Sequence, residues 1–259
     1  MKLRQMIASL LAVGFVMSTA AGAADMSATQ KKQIQDVVRD YLTKNPDVII
    51  QALQVYQQQQ MDEAKKTIQK TQATSPQYVD ALFRQAGDPV GGNPQGKITV
   101  VEFFDYQCPH CVDMAGVIEG LIKNNPDVKI VFKEFPIRGP VSELAARAAL
   151  AAKEQGKYVE LHKALMESKQ PLTEDNIYTI AESVGLDVAK LKTTMKSAAV
   201  DQQIKATYKL AQQLQLLGTP AIFVAKSNVT KTSPASSIIF IPGEVTADQM
   251  NQIMQKLSQ

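Results

Sequence analysis

At 259 residues, with 45% hydrophobic and 20% charged residues, the chain has a globular composition and room for one large domain or a domain plus an extension. The net charge is only +3, Lys2 and Arg4 supply two of those charges, and no basic stripe alternates with aromatics, so nothing points to a nucleic-acid partner. There are just two cysteines, Cys108 and Cys111, too few and too closely spaced for a disulfide-stapled mini-domain.

The first 24 residues read as a secretory signal. Lys2 and Arg4 form a charged start, residues 6–17 an apolar run too short to span a bilayer comfortably, and Ala21 and Ala23 a cleavage signature. Cleavage is expected near Ala23 or Ala24, which would deliver the mature chain to the periplasm.

Residues 25–75 form a helical segment and linker. Ile34, Val37, Val38, Tyr41 and Leu42 recur at helical spacing, Asn45-Pro46 interrupts, and Val48, Ile49, Ala52, Leu53 and Tyr56 repeat the pattern. Two such helices are too small to bury their apolar face alone, so the face must dock on the main domain or on a second copy of itself, and of the two a homodimer through 25–75 is expected. The glutamine-rich stretch from Gln57 to Gln72 reads as a solvated helix running into a linker. Ser75-Pro76 breaks it, and Tyr78, Leu82 and Phe83 begin a short helix. Residues 87–96 carry turn chemistry throughout and lack a phosphate-loop pattern.

A buried strand is expected at 98–104, then a helix carrying Met114, Val117, Ile118, Leu121 and Ile122, then a strand at 128–135. From about 141 to 217 the pattern is helical, with Thr173 as a cap and a last long helix over 199–217. Strands follow at 221–225 and 237–241, and Thr246 caps a terminal helix ending near Leu257. The order β-α-β, helical block, β-β-α is that of an α/β, thioredoxin-like fold with a central helical insertion at about 141–217, preceded by the N-terminal helical extension. The main domain is placed at 76–259.

The chemistry centres on Cys108-Pro109-His110-Cys111. A disulfide closing so short a loop removes little chain entropy, so a redox role explains the spacing better than a staple. A strand running out by Gln107 and a helix beginning near Pro109 put Cys108 at a helix N-terminus, where unpaired N–H groups and the dipole favour a thiolate. Cys111, one turn on, is expected to be more buried and to act as the resolving thiol. His110 lies between them and could favour the thiolate by charge or hydrogen bond. The alternative, half a zinc site, needs two further ligands, and the only histidines are His110 and His162. No metal or cofactor is therefore expected. His162 sits on an apolar helical face and reads as a core or rim residue.

Two other features belong with the thiols. Gly218-Thr219-Pro220 precedes a strand. Locally Pro220 reads equally as cis or as an ordinary helix-ending trans-proline, but the topology places it opposite the disulfide, where a cis turn with exposed backbone could pair with an extended substrate. Glu102 lies in an otherwise apolar strand, either as a buried proton relay to Cys111 or as a sheet-edge glutamate facing solvent. Asn228-Val229-Thr230 matches a glycosylation sequon but is too common a tripeptide to carry a role.

Taken with the leader, Glu102-Phe103-Phe104-Asp105-Tyr106-Gln107-Cys108-Pro109-His110-Cys111 and Gly218-Thr219-Pro220-Ala221 resemble the DsbA family of exported thiol:disulfide oxidoreductases over about residues 88–257. The resemblance implies Cys108 as nucleophile, Cys111 as resolving thiol, a redox-active Cys108–Cys111 disulfide and Pro220 as a cis-proline. It also implies reduced exported proteins as substrates and a membrane partner that recycles the pair. A strongly oxidising, low-pKa thiol is a known property of DsbA itself, so the oxidising direction comes with the resemblance. Two features depart from the best-known member. Thr219 replaces a valine before the proline, as in disulfide isomerases, and residues 25–75 resemble the leader of larger, dimeric DsbA-like and Com1-like proteins. Both keep a dimeric isomerase, a bifunctional oxidase-isomerase and a chaperone role in view beside the oxidase.

Overall fold

The structure is a computed structural model that describes residues 26–258; the expected signal sequence and its cleavage site lie outside the described residues. The chain forms two compact units that divide between Gln60 and Met61.

In the first unit, α1 (Ala28–Lys44) starts at a capping box, with Ser27 accepting from the Gln30 N–H while the Gln30 side chain accepts from the Ser27 N–H. Asn45 ends it, its side-chain amide donating to the Tyr41 carbonyl at 2.9 Å, and Pro46 opens α2 (Pro46–Thr74). None of the residues of α1 is buried.

The second unit opens with the last turns of α2, which are docked rather than free as a linker would be. Thr71 is buried and its hydroxyl donates to the Leu214 carbonyl at 2.7 Å. Gln72 donates to the carbonyls of Ala235 and Ile238 and accepts from the Phe240 N–H at 2.9 Å, lying along a sheet edge as a strand would. A short 3-10 turn (Ser75–Tyr78) leads into α3 (Val79–Phe83).

Five strands follow, β1 (Val90–Gly92), β2 (Ile98–Phe104), β3 (Val128–Glu134), β4 (Ala221–Lys226) and β5 (Ile238–Pro242), in spatial order β1-β3-β2-β4-β5. β2 and β3 are parallel and the other pairs antiparallel. The parallel pair is joined through α4 (Pro109–Asn124), and between β3 and β4 lie α5 (Pro140–Ala152), α6 (Tyr158–Met166), α7 (Glu174–Ser183), α8 (Val188–Thr194) and α9 (Ala198–Gln213). The terminal helix is α10 (Ala247–Ser258), capped reciprocally by Thr246 and Gln249. This is the expected thioredoxin-like sheet with a helical insertion.

β2 is buried along its whole length and sorts its side chains by parity. Val100 and Phe104 join Ile130, Phe132, Ile222 and Val224 beneath helices including α4, α5 and α6. Val101 and Phe103 join Val131 and Phe223 on the opposite face with α3 and the end of α9. Each large apolar side chain so buried contributes roughly 1.5–3 kcal/mol, so both sheet faces are fixed strongly.

Two further expectations need correction. The 87–96 stretch is not turn throughout, because Val90–Gly92 forms an edge strand against β3; Gly96 then passes so close to β3 that a Cβ there would lie 2.7 Å from the Asp127 carbonyl oxygen. The last insertion helix stops at Gln213, not at 217. Gln215 adopts φ +54°, in the left-handed region, and turns the chain out of the helix before Gly218 is reached.

Candidate active site

β2 delivers the chain to the thiols through a loop organised by Asp105. This buried carboxylate accepts from the Gln107 N–H at 2.7 Å, closing an Asx turn, and also from the Ser142 hydroxyl at 2.7 Å and the Arg138 N–H at 2.9 Å. Cys108 then sits at the N-cap of α4 in extended conformation, with Pro109 in the first turn. Its carbonyl accepts from the N–H groups of Cys111 at 3.0 Å and Val112 at 3.1 Å.

Both cysteines are free thiols with 0% exposure, so they differ in electrostatics rather than in accessible surface. Burial pushes the Cys108 thiol up, but hydrogen bonds from Thr219 and Cys111 and the charge of Arg138 together bring it below the ordinary thiol value. Burial also pushes Cys111 up, and the charges of Glu102 and Cys108 add to it, so the net shift is strongly upward. The pair is one thiol ready to ionise beside one that holds its proton.

Thr219 mediates between them. The Thr219–Pro220 peptide is cis, and the protonated Cys108 Sγ donates to the Thr219 carbonyl at 3.3 Å. The Thr219 hydroxyl is buried without a hydrogen-bond partner while the thiols are protonated, and its influence lowers both, as a donor to a thiolate would.

His110 points elsewhere. Its side chain is exposed and its Nδ1 lies 3.0 Å from Glu244 Oε2, while Arg138 supplies the nearby positive charge felt by Cys108. Among the described residues His110, Asp113 and Glu244 bring possible metal-ligand atoms within 4.8 Å of one another; all three are exposed, and the cysteines are not part of the group.

Glu102 is buried, with Oε1 unpartnered, and burial raises its pKa to about 8. A sheet-edge or solvent-facing position is ruled out, because β2 pairs on both sides, Glu102 standing opposite Phe132 and Ile222. Beside it lies a group the sequence reading missed. Glu134 Oε1 accepts from Tyr106 at 3.0 Å and Tyr158 at 2.7 Å, its Oε2 is buried and unpartnered, and Tyr106 also meets His162 Nδ1 at 3.1 Å. Burial raises Glu134 well above the carboxylate range and lowers His162 to about 3. His162 is thus a core residue, stacked on Tyr158 and neutral at physiological pH.

Residues 99–255 match the DsbA-like thioredoxin domain, and residues 30–63 match the N-terminal domain of the copper resistance protein ScsC. A thioredoxin-like oxidoreductase from Silicibacter pomeroyi is 39% identical, the match covering 68% of this chain and 95% of that one, with a TM-score of 0.62. BcfH from Salmonella enterica Typhimurium is 33% identical over 89% of this chain and 97% of its own, with a TM-score of 0.64. The thiol:disulfide interchange protein DsbA of Bordetella parapertussis is 29% identical over 154 residues, 55% of this chain and 70% of that protein. The chain also matches Na(+)/H(+) antiporters, but spans only about a fifth of their length, as with 21% of NhaA 3 from Salinispora tropica. With the DsbA-like domain covering more than half of its length around a Cys108–Cys111 pair set against a cis-proline, the chain belongs to the DsbA-like thioredoxin family of thiol:disulfide oxidoreductases.

Proposed function

We propose that this protein introduces disulfide bonds into exported proteins in the periplasm, by dithiol–disulfide exchange through Cys108 and Cys111. The observation that carries this reading is the placement of the thiols, Cys108 at the N-cap of α4 with its Sγ 3.3 Å from the carbonyl of the cis Thr219–Pro220 turn and Cys111 one turn into the helix, an arrangement that shifts the first thiol down and the second up. A substrate thiolate attacks Cys108 Sγ of the oxidised pair. The Cys108–Cys111 bond breaks, and Cys111 leaves with the electron pair and takes a proton. A second substrate thiolate then attacks the substrate sulfur of the mixed disulfide, and Cys108 leaves as a thiolate that its surroundings stabilise. Two electrons pass to the enzyme, and a membrane partner removes them. A stabilised reduced form makes the oxidised form the stronger oxidant. Pro109 starts the helix that holds Cys108, and Glu102 is the proton donor and acceptor for Cys111, a role supported by its burial and its charge coupling to that thiol. A redox titration of the mature protein against glutathione tests the reading. A potential as low as that of a cytosolic reductant would overturn it.

A second reading, a self-associating isomerase or oxidase-isomerase with chaperone character, is favoured by Thr219 before the cis-proline and by the exposed apolar residues of α1 and α2. Residues 26–60 would then join copies, a homodimer being the simplest assembly. Refolding of scrambled ribonuclease and the resting redox state of the thiol pair in cells distinguish the two, since an oxidase rests oxidised and an isomerase reduced.

A further inference from the structure

The cation that acts on Cys108 comes from outside the Cys108–Cys111 motif. His110 turns away to Glu244, and the charge felt by the thiol is that of Arg138, on the segment between β3 and α5. Arg138 is exposed, and a long charged side chain in water loses much entropy if it is held in one place. The main chain beneath it is what is fixed.

That segment is tied at three points. The Phe135 N–H donates to the Phe104 carbonyl at 2.9 Å, the Tyr208 hydroxyl of α9 donates to the Pro136 carbonyl, and the Arg138 N–H donates to Asp105 Oδ2 at 2.9 Å. Gly139 then takes φ +111°, which lets the chain turn directly into α5 after Arg138. The tie to Asp105 is the one that joins Arg138 to the loop carrying the thiols.

The two carboxylate oxygens of Asp105 divide the work. Oδ1 accepts from the Gln107 N–H and the Ser142 hydroxyl, both at 2.7 Å, and so holds the turn before Cys108 and the first turn of α5. Oδ2 is given to Arg138. The Asp105 carbonyl in turn accepts from the Cys108 N–H at 3.0 Å. A carboxylate only 1% exposed is costly to desolvate, and these three short hydrogen bonds offset that cost. We propose that Asp105 is a positioning residue for the exchange, which through Oδ2 holds the main chain of Arg138 so that the guanidinium charge stays with Cys108. The β3–α5 segment thereby becomes part of what sets the redox poise of the thiol pair. The proposal rests on the reading of Cys108 as the exchanging thiol.

Asp105→Asn separates the two oxygens. The amide keeps an acceptor for Gln107 and Ser142 but turns an NH2 toward the Arg138 N–H, so only the Arg138 tie is lost. In the full mature chain the glutathione equilibrium should move about threefold toward the enzyme disulfide, because a thiolate that loses a nearby cation is a less stable product of reduction. Arg138→Gln should give the same shift, and the double variant no more than either alone. No shift in Asp105→Asn would overturn the proposal, as would a shift toward the enzyme dithiol, the sign expected if the carboxylate merely repels the thiolate. A double variant whose shift is the product of the two single ones would overturn it as well. Should Asp105→Asn not fold, amide hydrogen exchange in the unmodified protein decides. The Arg138 N–H should be protected, and exchange at the rate of a free chain would break the tie. Failure of the unmodified protein to reach any equilibrium with glutathione would instead remove the exchange reading, and the role of Asp105 with it.

Discussion

The two compact units treat the same kind of sequence pattern in opposite ways. In α1 and the first turns of α2, apolar residues recur at helical spacing yet stay in water, with Val37 68% exposed and no residue of α1 buried. In the thiol-bearing unit every residue of β2 is buried, even Glu102. Periodicity therefore identifies a face that needs a partner but not where the partner comes from. Between β2 and its neighbours the chain supplies it; for α1 another copy must, if the proposed self-association holds.

Several measurements would break or sharpen that contrast. The largest effects belong to the thiols. Cys108→Ser is expected to reduce exchange to the uncatalysed rate. Cys111→Ser should instead accumulate a mixed disulfide with substrate, visible on a non-reducing gel; the reverse assignment of the two would undo the proposed mechanism. Next comes the helical unit. Val38→Asp, or removal of residues 26–60, is expected to lower the mass seen by light scattering to that of a monomer. The glutathione equilibrium should stay within about twofold, since both changes leave Cys108, Cys111 and the residues that tune them unaltered. A variant that remains associated would show that α1 is not the contact.

Two pH dependences test the buried acid and base. Glu102 titrates near 8 when folded and near 4.5 when unfolded, so between those values the unfolded chain has released a proton that the folded chain keeps. Stability should fall with rising pH across that window by about 1.4 kcal/mol per unit, and Glu102→Gln should flatten this slope. His162 is neutral when folded down to about pH 3 and ordinarily titrates near 6.5. Stability should therefore fall as pH drops from 6.5 toward 3, with His162→Gln removing that component in denaturant midpoints. The smallest expected effect is at Thr219. Thr219→Val removes a hydroxyl that lowers Cys108, so the thiol pKa should rise and the glutathione equilibrium should move a few-fold toward the enzyme disulfide. An unchanged thiol titration would assign the depression to the helix end and Arg138 alone.

What could be read from sequence was local. Cys108-Pro109-His110-Cys111 declared a strand-to-helix junction, and β-branched and aromatic runs declared β2 and β3, because neighbours along the chain carry that information. Thr219 and Pro220 became informative only through topology. The Glu134–Tyr106–His162 cluster was invisible because its partners are 28 and 56 residues apart and join only when α6 packs on the sheet. Asp105 was within the quoted motif, yet its work is done on Arg138 and Ser142. Val90–Gly92 lacked strand character of its own and is a strand because β3 offers an edge.

Gln72 has a consequence for the outer edge of the sheet. β5 is an outer strand, and its outward-facing residues are Ile238, Phe240 and Pro242. The Ile238 N–H is spent on the Ala235 carbonyl, the Phe240 N–H on the Gln72 side chain, and Pro242 has none. If unfolded polypeptides are the substrates, as proposed, one arriving with a free strand meets an edge with no donor to extend, and can exchange sulfur without nucleating a shared sheet.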